Sequence, residues 1–124
     1  MQDAAVVAHL RASGAIILGK TVATQFAFTD PAKTRNPWSA ARTTGGSSSG
    51  SGAAVAAREV PMAVGSQTAG STLRPAAYCG VVGFKPTYGR ISLAGAFPLS
   101  WSLDHVGIIA RTDEDCGLFL AAAQ

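Results

Sequence analysis

Gly45-Gly46-Ser47-Ser48-Ser49-Gly50-Ser51-Gly52 is eight residues of pure glycine and serine, and it runs straight into Ala53-Ala54-Val55-Ala56-Ala57-Arg58, a string of strong helix formers. Gly/Ser tracts on their own read as flexible linkers. This one joins two segments that both read as folded. A second concentration follows, Gly65-Ser66-Gln67-Thr68-Ala69-Gly70-Ser71. Serines set in glycine-rich backbone ahead of helix-compatible sequence suit acyl transfer, because free backbone N–H groups can hold an oxyanion and small side chains leave room for a carbonyl.

Around that centre the chain alternates short helices and aliphatic strands. Residues 3–11 predict a helix with Val6 and Leu10 on one face, ended at Gly14. Ala15-Ile16-Ile17-Leu18 predicts a buried strand, and Thr29 to Thr44, with two prolines, a loop. Strands are predicted at 62–65, 81–84 and 106–109. The last helix is the clearest, with Thr112 as cap, Asp113, Glu114 and Asp115 in its first turn, and Cys116, Phe119, Leu120 and Ala123 on one face. The pattern predicts an α/β fold, a mixed β-sheet flanked by helices.

Composition narrows the function classes. The chain has 124 residues, 48% hydrophobic, with only 14% charged and a net charge of +3, against roughly 25% charged in typical soluble domains. Disorder needs low hydrophobicity and high net charge, so it is excluded. No apolar run approaches a membrane span, and the opening Met1-Gln2-Asp3 is not that of a signal peptide. Cys79 and Cys116 have no ligand-spaced neighbours, which predicts no metal site and a reducing, cytoplasmic setting. Basic residues lie singly from Arg11 to Arg111, with no patch to follow a nucleic acid backbone. So little charge on so small a chain predicts a surface covered by other polypeptide, through oligomerisation or as a piece of something larger.

Two familiar patterns match in letters only. Gly14-Ala-Ile-Ile-Leu-Gly19-Lys20-Thr21 fits the phosphate-binding loop, but its inner positions are strand-like and a helix precedes them, so a nucleotide site is the weaker reading and Lys20 is expected in solvent. Gly46-Ser-Ser48-Ser-Gly50 fits the nucleophile elbow, yet Trp38 to Thr44 does not read as its strand. The only later histidine, His105, reads as a structural turn residue.

The glycine-serine tract, then Gly65 to Ser71, then Arg74-Pro-Ala-Ala-Tyr-Cys-Gly-Val-Val-Gly-Phe-Lys-Pro-Thr87 together resemble the amidase signature family, with a signature core at about 45–87. The likeness extends from Gly14 through Ser102-Leu-Asp-His105 to Arg111-Thr112, nearly the whole chain. It implies hydrolysis of a linear amide by a Ser–cis-Ser–Lys triad, without metal or cofactor. By motif, Ser71 is the implied acyl nucleophile and Ser47 the bridging serine, with the Gly46–Ser47 bond cis. The N–H groups of Thr68, Ala69, Gly70 and Ser71 are the implied oxyanion hole. The family's lysine belongs to an upstream Lys-Asp pair that this chain lacks, and Lys20 falls in a segment the family has separately.

Two departures stand out. Many members have Gly-Gly-Ser where this chain has Ala69-Gly70-Ser71, and Arg74 follows the nucleophile by three residues rather than two. That spacing is similar to malonamidase-like members, where the arginine pairs with a substrate carboxylate. A structural arginine bracing carbonyls is the alternative. The resemblance also leaves open a non-catalytic homologue or a fragment of an amidotransferase subunit, which would bring partner chains and transfer RNA. As an amidase, its partner is a small-molecule amide, with no nucleic acid or membrane.

Overall fold

The structure is a computed structural model and describes residues 2–124. Its helices are α1 (Ala5–Ala12), α2 (Ser49–Ala56), α3 (Leu73–Cys79) and α4 (Asp113–Ala123). Its strands are β1 (Arg35–Asn36), β2 (Ser39–Thr43), β3 (Met62–Gln67), β4 (Val82–Phe84) and β5 (His105–Ala110). One sheet has the order β3-β5-β4 and the other is the β1-β2 hairpin; both are antiparallel. Among the described residues no helix is long and apolar enough to cross a membrane.

β5 is the centre of the molecule because both of its faces are covered. Val106, Ile108 and Ala110 pack with Val6 and Leu10 of α1 and Cys116, Phe119 and Ala123 of α4. On the opposite face Ile109 packs with Val55 of α2 and Ala76 of α3. The result is a three-layered α/β arrangement with the glycine-serine elements on the second face. α4 begins as its sequence predicts, with the Thr112 hydroxyl accepting from the Asp115 N–H at 3.1 Å.

α2 starts inside the glycine-serine tract, four residues earlier than alanine propensity predicts. Glycine in a helix is unfavourable by roughly 0.5–1 kcal/mol relative to alanine, and close packing offsets that here. A β-carbon at Gly50 would lie 2.5 Å from the Val22 nitrogen, and one at Gly52 2.9 Å from the Pro75 carbonyl oxygen. The serines hydrogen-bond outward. Ser49 Oγ donates to the Val22 carbonyl at 3.2 Å and Ser51 Oγ to the Val64 carbonyl at 2.7 Å. Ser48 Oγ accepts from the Ser66 N–H at 3.0 Å and donates to the Ser66 carbonyl at 3.3 Å.

Two expectations are corrected. Residues 15–18 form no strand; Ile17 packs against the core around β5, while Ile16 is 85% and Leu18 73% exposed. Within 29–44, predicted to be a loop, Arg35–Asn36 and Ser39–Thr43 pair as a hairpin. Its strands show no apolar alternation because its anchorage is polar. Buried Asn36 donates through Nδ2 to the carbonyls of Thr43 (3.1 Å) and Tyr78 (2.8 Å), and Trp38 Nε1 donates to the Cys79 carbonyl at 2.6 Å. The hairpin therefore satisfies carbonyls at the end of α3 that the helix itself leaves open.

Candidate active site

Ser47 and Ser71 are brought together by the backbone. The N–H of Ser48, directly after Ser47, donates to the Ser71 carbonyl at 3.1 Å, and the Ser47 carbonyl accepts from the Thr24 N–H at 3.0 Å. Ser47 is 2% exposed, and its Oγ is buried without a hydrogen-bond partner. Leaving a buried hydroxyl unpaired costs roughly 1–3 kcal/mol, so this atom has capacity for a partner from outside the described residues. The Gly46–Ser47 peptide bond is cis. Ser71 is half-buried, at the point where the loop after β3 turns into α3.

Residues 68–71 bridge β3 and α3. Among the described residues, the N–H groups of Ala69, Gly70 and Ser71 donate to no other group. Those of Thr72 and Leu73, next along, both donate to Gln67 Oε1 at 3.0 Å. One buried glutamine side chain thus secures the end of the loop while three adjacent N–H groups stay available. A pair of glycines makes room beneath it. Gly65 of β3 and Gly107 of β5 face each other in register, and the fully buried Thr72 side chain sits against both.

Arg74 is exposed, and its guanidinium lies over Gly70, where a β-carbon would be 3.1 Å from Nη2. It forms no salt bridge among the described residues, whose one ion pair joins Arg11 and Asp3. Thr68 Oγ1 donates to Asp104 Oδ1 at 2.5 Å. Asp104 Oδ2 accepts from the N–H groups of Leu99 (2.7 Å) and Ser100 (2.9 Å). Burial alone would raise the Asp104 carboxyl; the hydrogen bonds from Thr68, Ser100 and Leu99, with His105 nearby, hold it below the ordinary aspartate value. Asp104 is not among the residues that motif reading singles out, since its partner Thr68 is distant in sequence and only the β3–β5 ladder joins them.

The competing motifs resolve by geometry. Lys20 is exposed, and residues 14–21 hold no strand-to-helix turn. β2 does precede the elbow pattern, contrary to the sequence reading, but Ser48 Oγ is committed to Ser66 and buried. His105 opens β5 rather than lying in a turn; Nδ1 is 2.6 Å from the Leu103 carbonyl, and its ring meets Tyr88 edge-on at 5.4 Å. No cluster of three or more metal-ligating side chains occurs among the described residues.

The A subunit of the glutamyl-tRNA(Gln) amidotransferase from Roseiflexus castenholzii is 50% identical over 124 residues, covering 95% of this chain and 25% of the relative. The peptide amidase of Stenotrophomonas maltophilia superposes with a TM-score of 0.93 at 40% identity, over 98% of this chain and 27% of that one. The A subunit of the glutamyl-tRNA(Gln) amidotransferase from Thermotoga maritima gives a TM-score of 0.94 at 42% identity, over 98% and 28%. The chain thus spans about a quarter of the length of the curated relatives it matches. The profile of the Amidase family matches residues 1–124. From its first residue to its last, this chain belongs to the Amidase family.

Proposed function

We propose that the chain is the nucleophile-bearing segment of an amidase, which hydrolyses the C–N bond of a linear amide through an acyl-enzyme on Ser71. Ser71 Oγ attacks the carbonyl carbon and gives its proton to Ser47 Oγ, which passes its own proton on. The N–H groups of residues 68–71 receive the oxyanion; losing one such donor typically costs roughly 2.7–4 kcal/mol of transition-state stabilisation. When the tetrahedral intermediate collapses, the C–N bond breaks and the amine leaves with the relayed proton. Water then attacks the Ser71 ester, the proton path runs in reverse, and a carboxylic acid departs.

The terminal base is the lysine that the family resemblance implies, supplied from outside these residues. Lys20 and Lys33 are exposed, and Lys85 Nζ donates to the Pro86 carbonyl at 2.7 Å. The observation that carries the reading is the buried, unpartnered Ser47 hydroxyl, one residue from the hydrogen bond to Ser71. The unpaired Arg74 guanidinium over Gly70 supports a substrate that carries a carboxylate. A cytoplasmic setting is part of the same reading.

A second reading is favoured by the identity to the A subunits of amidotransferases: the segment releases ammonia from an amide within an assembly that acts on charged transfer RNA. Both readings need Ser71. In the protein that contains these residues, Ser71→Ala abolishes amide hydrolysis and covalent labelling by a fluorophosphonate. Hydrolysis surviving Ser71→Ala refutes both. Hydrolysis by the purified polypeptide alone favours the amidase, and hydrolysis only with added partner subunits favours the amidotransferase.

A further inference from the structure

The loop 68–71 is held at both ends by side chains. Gln67 secures the far end through Thr72 and Leu73, and the near end is gripped at Thr68 by Asp104. The ladder register explains the grip. Gln67 pairs with His105, so the residue after Gln67 comes opposite the residue before His105. A carboxylate seated at the end of the central strand therefore meets a hydroxyl on the first residue of the loop.

The chemistry of position 104 is restrictive. Three donors converge on its two oxygens, the Thr68 hydroxyl and the N–H groups of Leu99 and Ser100. The two N–H groups need an oxygen on one side, and the hydroxyl, which can donate to a carboxylate or accept from an amide N–H, is met on the other, so only a planar two-headed side chain keeps the grip and alanine removes it. The carboxylate also ties the loop to residues 97–103. Those residues include Phe97 and Trp101, which with Thr68 and Asp104 line a cavity of about 90 Å³.

We infer that Asp104 is a positioning residue for the reaction at Ser71: it holds Thr68 by its hydroxyl and so fixes the N–H groups of residues 68–71 that receive the oxyanion. This rests on the amide-hydrolase reading above. An oxyanion site works by being preorganised, and donors displaced by a fraction of an ångström lose much of their effect on the transition state while substrate binding is little altered.

The test uses the protein that contains these residues. Thr68→Val removes the hydroxyl and keeps the N–H, Thr68→Ser restores the hydroxyl, and Asp104→Ala removes the carboxylate. Thr68→Val and Asp104→Ala are each expected to lower kcat, and the rate of Ser71 labelling by a fluorophosphonate, by about tenfold or more. KM stays within about twofold, and Thr68→Ser recovers most of the rate. The double variant falls no further than Asp104→Ala alone, since the Thr68 contact is already gone there. Should Asp104→Ala fail to fold, the Thr68→Val and Thr68→Ser pair decides the matter. A folded Thr68→Val with unchanged kcat, or losses that multiply in the double variant, overturns the inference. Hydrolysis that survives Ser71→Ala overturns the underlying reading, whereas an inactive Ser71→Ala beside a fully active Thr68→Val overturns this inference only.

Discussion

Replacing Gly107 by alanine tests whether the sheet holds the nucleophile from below. The added methyl carbon would meet Thr72 Oγ1 most closely, and would lie 2.6 Å from Thr72 Cγ2 and 2.7 Å from Thr72 Cβ. Carbon atoms rest at about 3.5–4.0 Å from one another, so one partner must retreat by roughly 1 Å. Neither is free to do so. Gly107 lies in the central strand, paired with Gly65 of β3, while Thr72 is fully buried and its N–H is tied to Gln67. Overpacking of this kind costs about 1–3 kcal/mol. The displacement passes directly to Ser71, and a misplacement of about 1 Å at a reacting group can cost roughly a hundredfold in rate.

Gly107→Ala is therefore expected to lower the urea midpoint by that free energy and to slow fluorophosphonate labelling of Ser71 by up to two orders of magnitude. Adding Thr72→Ala removes the Oγ1 and Cγ2 contacts but leaves the Cβ contact, and recovers part of both losses. Gly117→Ala is the control: it lies in α4 with nothing within 4 Å of the new methyl, and should gain about 0.5–1 kcal/mol. A Gly107→Ala protein with an unchanged midpoint and labelling rate would refute the reasoning, because Thr72 would then move without consequence.

Two other expectations rest on single side chains. Thr112→Ala removes the acceptor for the Asp115 N–H and should cost about 1 kcal/mol in chemical denaturation, with Thr112→Ser retaining most of the stability. Asp104 has a folded pKa below its ordinary value of 3.8, so its contribution is fully present above that value and is lost as pH falls through the lower, folded pKa. Denaturation curves between pH 5 and pH 2 should accordingly show a shallower acid loss for Asp104→Asn than for the parent; parallel curves would exclude ionised Asp104 as a contributor.

What could be read in the sequence was what depends on neighbours in the chain. α4 carries its own cap and first-turn acids, and β5 is an aliphatic run, so both were legible. Ser47 and Ser71 were legible as motif. The hairpin at 35–43 was not, because its anchors are Asn36 and Trp38 reaching carbonyls some forty residues later. Residues 15–18 misled for the opposite reason: aliphatic letters predict burial, but only Ile17 meets the core, and the described chain places no covering element over Ile16 and Leu18. The Thr68–Asp104 contact and the facing Gly65 and Gly107 depend on strand register, which no local pattern specifies.

The serines of the glycine-serine tract have a consequence for how the sheet can grow. β3 is an outer strand, and outer strands offer unpaired backbone groups that recruit further strands. Here Ser51 occupies the Val64 carbonyl, and Ser48 occupies both the N–H and the carbonyl of Ser66. Two serine hydroxyls, Ser48 just before α2 and Ser51 within it, thus take three of the backbone groups of β3 that a neighbouring strand would use. The other border, β4 at Val82–Phe84, has no side chain bonded to its backbone among the described residues. A strand joining at β3, from the same polypeptide or another, must displace those hydroxyls, whereas at β4 no side chain of the described residues stands in its way.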